Sequence, residues 1–270
     1  MTRNLLSIAG YDPSGGAGVL LDIEVFESLG FRGLGVLTAV TAQNPERVSS
    51  VHPLPARVLE RQHRSLAEAF GISGIKVGML GSKANAAAAA RILAGSSGVP
   101  RIIDPVLRSS SGALLLERSA WPRLLSLFRG RAELITPNLD EASALAGFAV
   151  RTVEDMQEAA RAITRKSLIP CLVKGGHLAA GPVDVLFDGK GFRAFGHPRL
   201  RREVHGTGCF LSAAILAFLV LGRPLEEACA RGVERTIEAI RTSRPATGGR
   251  VFRASSRGPR RPRSPARAPR

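Results

Sequence analysis

The segment His205-Gly206-Thr207-Gly208-Cys209 stands directly before an apolar run with helical character. Glycines at the start of a helix let several backbone N–H groups converge on one point, and the helix N-terminus adds partial positive charge. That combination suits an anion that gains charge during reaction, such as a transferring phosphoryl group. Cys209 falls in the first helical turn, where its thiol is expected to be more acidic than usual and able to take a proton from a substrate hydroxyl. The other reading of the same residues is a glycine-rich turn with a structural cysteine.

Four further segments carry groups able to do chemistry. Asp12-Pro13-Ser14-Gly15-Gly16-Ala17-Gly18 lacks the GxxxxGK[ST] pattern, and its glycines are in the wrong order for G-x-G-x-x-G, so by itself it reads as a tight turn. Asp22, four residues past Gly18, reads as a solvated carboxylate at a helix start. In Thr136-Pro137-Asn138-Leu139-Asp140-Glu141-Ala142, a helix beginning after Pro137 puts Asn138 and Glu141 on one face. Such an oxygen pair can hold a hydrated Mg²⁺, or form an N-cap with its capping-box glutamate, or do both. Lys174, in Val173-Lys174-Gly175-Gly176-His177, can reach a phosphate or stand as a solvated charge. Asp104 closes a buried run, an unusual place for an acid.

These groups need elements to position them, and the chain alternates short β-like runs with longer helical ones. Strands are expected at Leu5–Ala9, Gly35–Val40, Gly74–Met79, Arg101–Val106, Leu134–Thr136 and Cys171–Lys174. A hairpin of Val183–Phe187 and Gly191–Phe195 is expected around Asp188-Gly189. Helices are expected at Val19–Leu29, Pro55–Phe70, Lys83–Leu93, Leu139–Leu145, Val153–Lys166, Cys209–Leu221 and Leu225–Ile240. Alternation of this kind implies βαβ units and a mostly parallel sheet, whose ligands bind beyond the carboxyl ends of the strands. The unusual loops fall at those ends, after Ala9, Val40, Val77, Asp104, Thr136 and Lys174, which points to one composite site.

Length and composition fit one large domain: 270 residues, 44% hydrophobic and 22% charged. Cys171, Cys209 and Cys229 are odd in number and without CxxC spacing, so neither a disulfide framework nor a zinc site is suggested, and a reducing, cytoplasmic setting fits. No secretory signal or membrane span is read; Phe210–Leu221 is too short to cross a bilayer. The net charge is +16, but nine arginines and no acidic residue lie from Arg244 onward, and without them the body carries +7. The boundary is drawn at residues 1–241 for the body and 242–270 for an Arg/Pro-rich tail too poor in large apolar residues to order itself.

Taken in order, seven stretches resemble the hydroxymethylpyrimidine/phosphomethylpyrimidine kinases of thiamine biosynthesis, members of the ribokinase-like superfamily related to pyridoxal kinases. They are Ala9–Gly18, Thr38–Asn44, Lys76–Leu80, Asp104–Val106, Thr136–Ala142, Lys174–His177 and His205–Cys209. The resemblance implies an α/β three-layer sandwich, a central and mostly parallel sheet flanked by helices. It implies ATP-dependent phosphorylation of 4-amino-5-hydroxymethyl-2-methylpyrimidine and of its monophosphate. Cys209 is then the base, where ribokinases use aspartate, and the amides of Gly206, Thr207, Gly208 and Cys209 form the anion hole. Lys174 holds the phosphates of ATP. Asn138 and Glu141, with Asp104, organise Mg²⁺. Gln43 binds the pyrimidine, and Gly10, Asp22, Thr41, Met79 and Val106 match other positions around it. Relatives of this kind are often homodimers.

The sequence departs from the family at Tyr11, where a small hydroxyl residue is usual, and at Ser109-Ser110-Ser111-Gly112, which replaces a lysine-containing turn. It departs most from Thr242 onward, where either a reading-frame change or a basic extension stands in place of the usual end. Pyridoxal or pyridoxine kinase activity is the neighbouring alternative. A kinase-like protein that has lost activity and a nucleic-acid binder acting through its tail are the alternatives of other classes; the body has no nucleic-acid-binding motif.

Overall fold

In the first strand, Leu6 and Ile8 point into one apolar core and Leu5 into another, because successive side chains of a strand face opposite sides of a sheet. A strand apolar on both faces must be covered on both. The computed structural model, which describes residues 3–96, 98–176, 178, 181–200, 204–246 and 249–252, provides that cover with helices on each side.

In chain order the elements are β1 (Asn4–Tyr11), α1 (Gly18–Ser28), β2 (Arg32–Gln43), β3 (Val48–Pro53), α2 (Ala56–Ala69), β4 (Ile72–Val77), α3 (Lys83–Gly95), β5 (Arg101–Ile103), α4 (Trp121–Leu127) and β6 (Leu134–Ile135). They continue with α5 (Leu139–Ala146), α6 (Val153–Ser167), β7 (Cys171–Val173), β8 (Val183–Phe187), β9 (Phe192–Gly196), α7 (Thr207–Val220), α8 (Leu225–Thr242), β10 (Arg244–Ala246) and β11 (Gly249–Val251). One sheet holds nine strands in the order β3-β2-β1-β4-β5-β6-β7-β8-β9. Neighbours from β2 to β7 pair parallel, while β3 on β2, β8 on β7 and β9 on β8 pair antiparallel. Helices α2 to α6 cover one face, around Leu59, Leu93, Leu124, Ala142 and Met156. Helices α1, α7 and α8 cover the other, around Phe26, Phe210, Leu216 and Cys229. Strand order reverses between β1 and β4, the place where doubly wound sheets open a crevice at their carboxyl ends.

The expected three-layer architecture is present. Four elements were not anticipated. β3 is an edge strand with partly exposed Ser49, Ser50 and His52, so it lacks the apolar alternation that marks a strand. α4 is two turns long and starts at Trp121-Pro122, too short for a periodic pattern. β10 and β11 pair as a hairpin inside the segment assigned to the tail. α8 also runs through Thr242, and Phe252 is buried with its ring 4.7 Å from that of Phe210. The chain therefore keeps ordered contacts with its body beyond the boundary drawn at 241. Residues 253–270 and His177 lie outside the described residues. Among the described residues no helix is long and apolar enough to cross a membrane.

Candidate active site

Gly10, Thr41, Gln43, Met79, Asp104, Val106, Asn138 and Lys174 all stand at or just past the carboxyl ends of parallel strands. The N-terminus of α7 faces the same edge. Gly206 is its N-cap, in the left-handed region at φ 83°. A Cβ at Gly206 would lie 2.0 Å from the carbonyl oxygen of Gly16, so the loop after β1 and the start of α7 approach each other only because glycine stands there. The backbone N–H groups of Gly206, Thr207, Gly208 and Cys209 have no acceptor among the described residues, while Phe210 N–H already bonds Gly206. Four free donors at a helix start make an anion site in chemical terms.

Lys174 crosses that helix start. A Cβ on Gly208 would come within 2.9 Å of its Nζ, so a side chain at 208 would push the ammonium away. The Lys174 Nζ lies 2.6 Å from Asp104 Oδ1. Asp104 also accepts from the Thr136 hydroxyl at 3.1 Å and lies 3.2 Å from the Ser212 hydroxyl. Ser212 in turn is 3.0 Å from the carbonyl of Gly208, tying the carboxylate to the first turn of α7. Burial would raise the Asp104 carboxyl, but Lys174 and then Lys76 outweigh it and hold it below its ordinary value.

Asn138 and Glu141 form a complete capping box at the start of α5: the Asn138 side chain accepts from Glu141 N–H, and Glu141 Oε2 from Asn138 N–H, each at 2.9 Å. Glu141 Oε1 also faces Leu107 N–H at 3.4 Å. Burial pushes the Glu141 carboxyl up to about 7, against the pull of Lys174 and with the push of Asp104. Glu141 and Asp104 are thus two carboxylates under one ammonium. Among the described residues no group of three His, Cys, Asp or Glu could cage a metal. Magnesium does not need one, since it is usually held by one or two carboxylates together with phosphate oxygens. The pair fits an ion delivered with a nucleotide.

On the other side of α7's start lies a second cluster. Gln43 Nε2 donates to Asp12 Oδ2 at 3.0 Å and lies 3.0 Å from His205 Nε2, which is itself 3.2 Å from the same carboxylate oxygen. Ser14 caps the other oxygen of Asp12 through its N–H and hydroxyl. Burial would raise the Asp12 carboxyl, but the bonds to His205 and Ser14 prevail and hold it low. The Thr41 hydroxyl donates to the carbonyl of Tyr11 at 2.9 Å and lies 3.3 Å from Gln43 Oε1, so it flanks Gln43. Met79 and Val106 share a small apolar cluster with Ala39 and Leu115. Gly10 leaves room for the Met79 sulfur, which would sit 2.5 Å from a Cβ there.

Two expectations need correction. Asp22 is neither a solvated carboxylate nor a residue open to substrate. It is 0% exposed, 2.6 Å from Lys76 Nζ, and accepts from the Ser7 hydroxyl at 2.6 Å. The acidity expected of Cys209 is also reversed. Burial pushes its thiol up to about 11, and Asp104 and Asp22 add to that against Lys76 and Lys174. The physical reason is first the burial of the thiol, and each nearby ammonium also has a carboxylate 2.6 Å away that opposes it. Cys209 is still half-buried rather than sealed in.

The site also holds Lys76, Ser212, Asp12 and His205, to which the sequence alone gives no role. Two of them left a signal: Lys76 interrupts a buried β-run, and Ser212 interrupts a helix otherwise apolar from Phe210 to Ala217.

A ribokinase-like sandwich with an anion site at a helix start, a lysine–aspartate pair beside it and an apolar pocket edge defines a small-molecule kinase. The chain belongs to the phosphomethylpyrimidine kinase family, whose model matches residues 12–252. It is 38% identical over 241 residues to the hydroxymethylpyrimidine/phosphomethylpyrimidine kinase of Aquifex aeolicus, covering 88% of this chain and 94% of that one. Identity to the kinase of the same name from Streptomyces coelicolor is 38% over 246 residues, 91% of each chain. Among solved structures, the pyridoxal kinase from Staphylococcus aureus in complex with ADP superposes with a TM-score of 0.86 at 28% identity, over 95% of this chain and 94% of that one. The phosphomethylpyrimidine kinase from Clostridium difficile gives 0.77 at 32% identity, over 88% and 100%. The family match passes Thr242 and reaches the buried Phe252, in accord with the ordered hairpin before it.

Proposed function

We propose that this protein transfers the γ-phosphoryl group of ATP to the hydroxymethyl group of 4-amino-5-hydroxymethyl-2-methylpyrimidine, then phosphorylates the monophosphate to the diphosphate used for thiamine. The observation that carries this reading is the set of four free N–H donors at the start of α7, with Lys174 lying across them and Cys209 in the same turn. In the transfer the substrate oxygen attacks the γ-phosphorus, the bond to the bridging oxygen breaks, ADP leaves, and the hydroxyl proton passes to the ionised sulfur of Cys209. Gly206, Thr207 and Gly208 take up the charge on the transferring oxygens through their amides. Phosphoryl transfer is mostly a matter of such positioning and charge stabilisation.

Lys174 binds the nucleotide phosphates. Asp104, Asn138 and Glu141 are the residues that would hold Mg²⁺, which supplies charge neutralisation at those phosphates. Gln43, oriented by Asp12, His205 and Thr41, presents a carboxamide with both a donor and an acceptor to the aminopyrimidine edge. Met79 and Val106 form the apolar wall. A cytoplasmic homodimer is the setting we assign it.

Pyridoxal phosphorylation is the second reading, favoured by the superposition on pyridoxal kinases. One experiment ranks the two. Purified protein is incubated with ATP, Mg²⁺ and either the pyrimidine alcohol or pyridoxal, and phosphorylated products are resolved. The reading requires pyrimidine mono- and diphosphate to form faster than pyridoxal phosphate; pyridoxal phosphate alone would replace it with the second.

A further inference from the structure

Strand β8 carries one acid among apolar residues. Val185 and Phe187 face the core under α2 to α6, so Asp184 and Leu186 face the layer of α7 and α8. Asp184 is buried, at 4% exposure. β8 pairs antiparallel with β7, Cys171 opposite Phe187, Leu172 opposite Leu186 and Val173 opposite Val185. One step further along that register sets Asp184 against Lys174, on the same face of the sheet. Opposite charges so placed attract one another across a strand pair. Here each takes another partner. The Lys174 ammonium goes to Asp104 Oδ1 at 2.6 Å, and Asp184 Oδ1 accepts from the backbone N–H of Gly175 at 2.9 Å.

The turn after Lys174 is fixed from several sides. Lys174 N–H donates to the carbonyl of Pro137 at 2.8 Å, and the carbonyl of Gly175 accepts from Leu178 N–H at 3.0 Å and Val183 N–H at 3.4 Å. A Cβ at Gly175 would lie 2.1 Å from the carbonyl oxygen of Val183, so the two chains approach this closely only with glycine there. The backbone that carries the ammonium to the start of α7 is thus held by Pro137 on one side and by β8, through Asp184, on the other. A buried carboxylate is costly unless it is paired. Among the described residues no lysine or arginine lies within ion-pair reach of Asp184; His197 does, its Nε2 3.7 Å from Oδ2. What the carboxylate does provide is a fixed acceptor for the amide that follows Lys174. We propose that Asp184 is a positioning residue for nucleotide binding, which aims Lys174 across the free donors of α7 by holding the amide of Gly175. The proposal rests on the reading of Lys174, given above, as the lysine that binds the nucleotide phosphates.

The test is calorimetric titration of ADP with Mg²⁺ into the purified protein and its variants. Asp184→Leu removes the acceptor at similar size and should weaken ADP binding about tenfold, within the reach of one lost buried hydrogen bond. Asp184→Asn keeps an acceptor oxygen without the charge and should stay within about twofold of the wild type. In a Lys174→Ala background, Asp184→Leu should add no further loss, because the two residues act through one contact. A merely structural role predicts the same loss with or without Lys174. Asp184→Ala removes the same acceptor without added bulk and takes the place of Asp184→Leu if urea denaturation shows that variant unfolded. Wild-type affinity in the folded leucine or alanine variant, an equal loss in Asp184→Asn, or an undiminished loss in the Lys174→Ala background would each overturn the proposal. If Lys174→Ala itself binds ADP as the wild type does, the phosphate reading of Lys174 fails and takes the proposal with it. If Lys174→Ala weakens ADP and the Asp184 variants do not, the positioning role alone fails.

Discussion

Lys76 and Lys174 occupy two regions of the same crevice and make the same bond, each 2.6 Å from an aspartate oxygen. Their surroundings differ. The Lys76–Asp22 pair is sealed at 0% exposure on both sides, whereas Lys174 opens to 12% beside the free amides of α7. Burial alone would push each lysine down, but Asp22 lifts Lys76 and Asp104 lifts Lys174, so both stay charged. The sealed pair ties β1, α1 and β4 together, and the open one stands beside the anion site. An identical local geometry thus serves two purposes, and depth separates them.

Experiments can break this contrast. The largest effect is expected at the group both pairs surround. Cys209→Ala should lower kcat by about 10²–10⁴, the usual worth of a general base, with little change in the KM for the pyrimidine; steady-state kinetics in each substrate reads the split. Next, Lys174→Ala should raise the KM for ATP by about 10–100-fold and cost less stability than the Lys76 change, because Asp104 keeps its neighbours Thr136 and Ser212. Lys76→Met should do the reverse. It strands Asp22 as a lone buried charge and should cost about 3–5 kcal/mol of folding stability, measured by urea denaturation, much of it recovered in the double variant with Asp22→Asn. A Lys174 variant that unfolds, paired with a Lys76 variant of full stability, would invert the comparison.

A smaller effect concerns pH. The Glu141 carboxyl is pushed to about 7 from an ordinary 4.5. A carboxyl raised on folding favours the native state below 4.5 and loses that contribution as pH rises through 7. If Glu141 holds magnesium as proposed, binding of the nucleotide needs its ionised form, and the KM for ATP should fall about tenfold from pH 6 to 8. Glu141→Gln keeps the capping box and should flatten that change. The smallest effect is structural: Gly206→Ala meets the Gly16 carbonyl in a left-handed backbone and should cost at least about 1–2 kcal/mol.

Much of this was legible in the residues. The short apolar runs alternating with longer helical ones were enough for a parallel sheet, because burial on both faces leaves continuous apolar strands. The loops after Asp104, Thr136 and Lys174 could be placed at one edge for the same reason. What could not be read was depth. Nothing near Asp22 in the chain says that β4 delivers Lys76 to it, 54 positions away. The acidity of Cys209 was misjudged because the expectation counted a helix start and not the burial of the thiol, nor the carboxylates of Asp104 and Asp22 beside it. The Asp12–Gln43–His205 cluster joins residues up to 193 positions apart, which local spacing cannot foresee. The hairpin before Phe252 was missed because an arginine- and proline-rich composition resembles a disordered tail until a ring is seen against Phe210.

The central claim, that the Cys209 sulfur takes the hydroxyl proton while the amides before it hold the phosphoryl group, is tested most directly by the pH dependence of kcat in the wild type and in Cys209→Asp. With the thiol pushed up to about 11, wild-type kcat should climb about tenfold per unit between pH 6 and 9, and the aspartate variant should be active with a flat profile. A wild-type profile already flat across that range, with an inactive aspartate variant, would contradict the account.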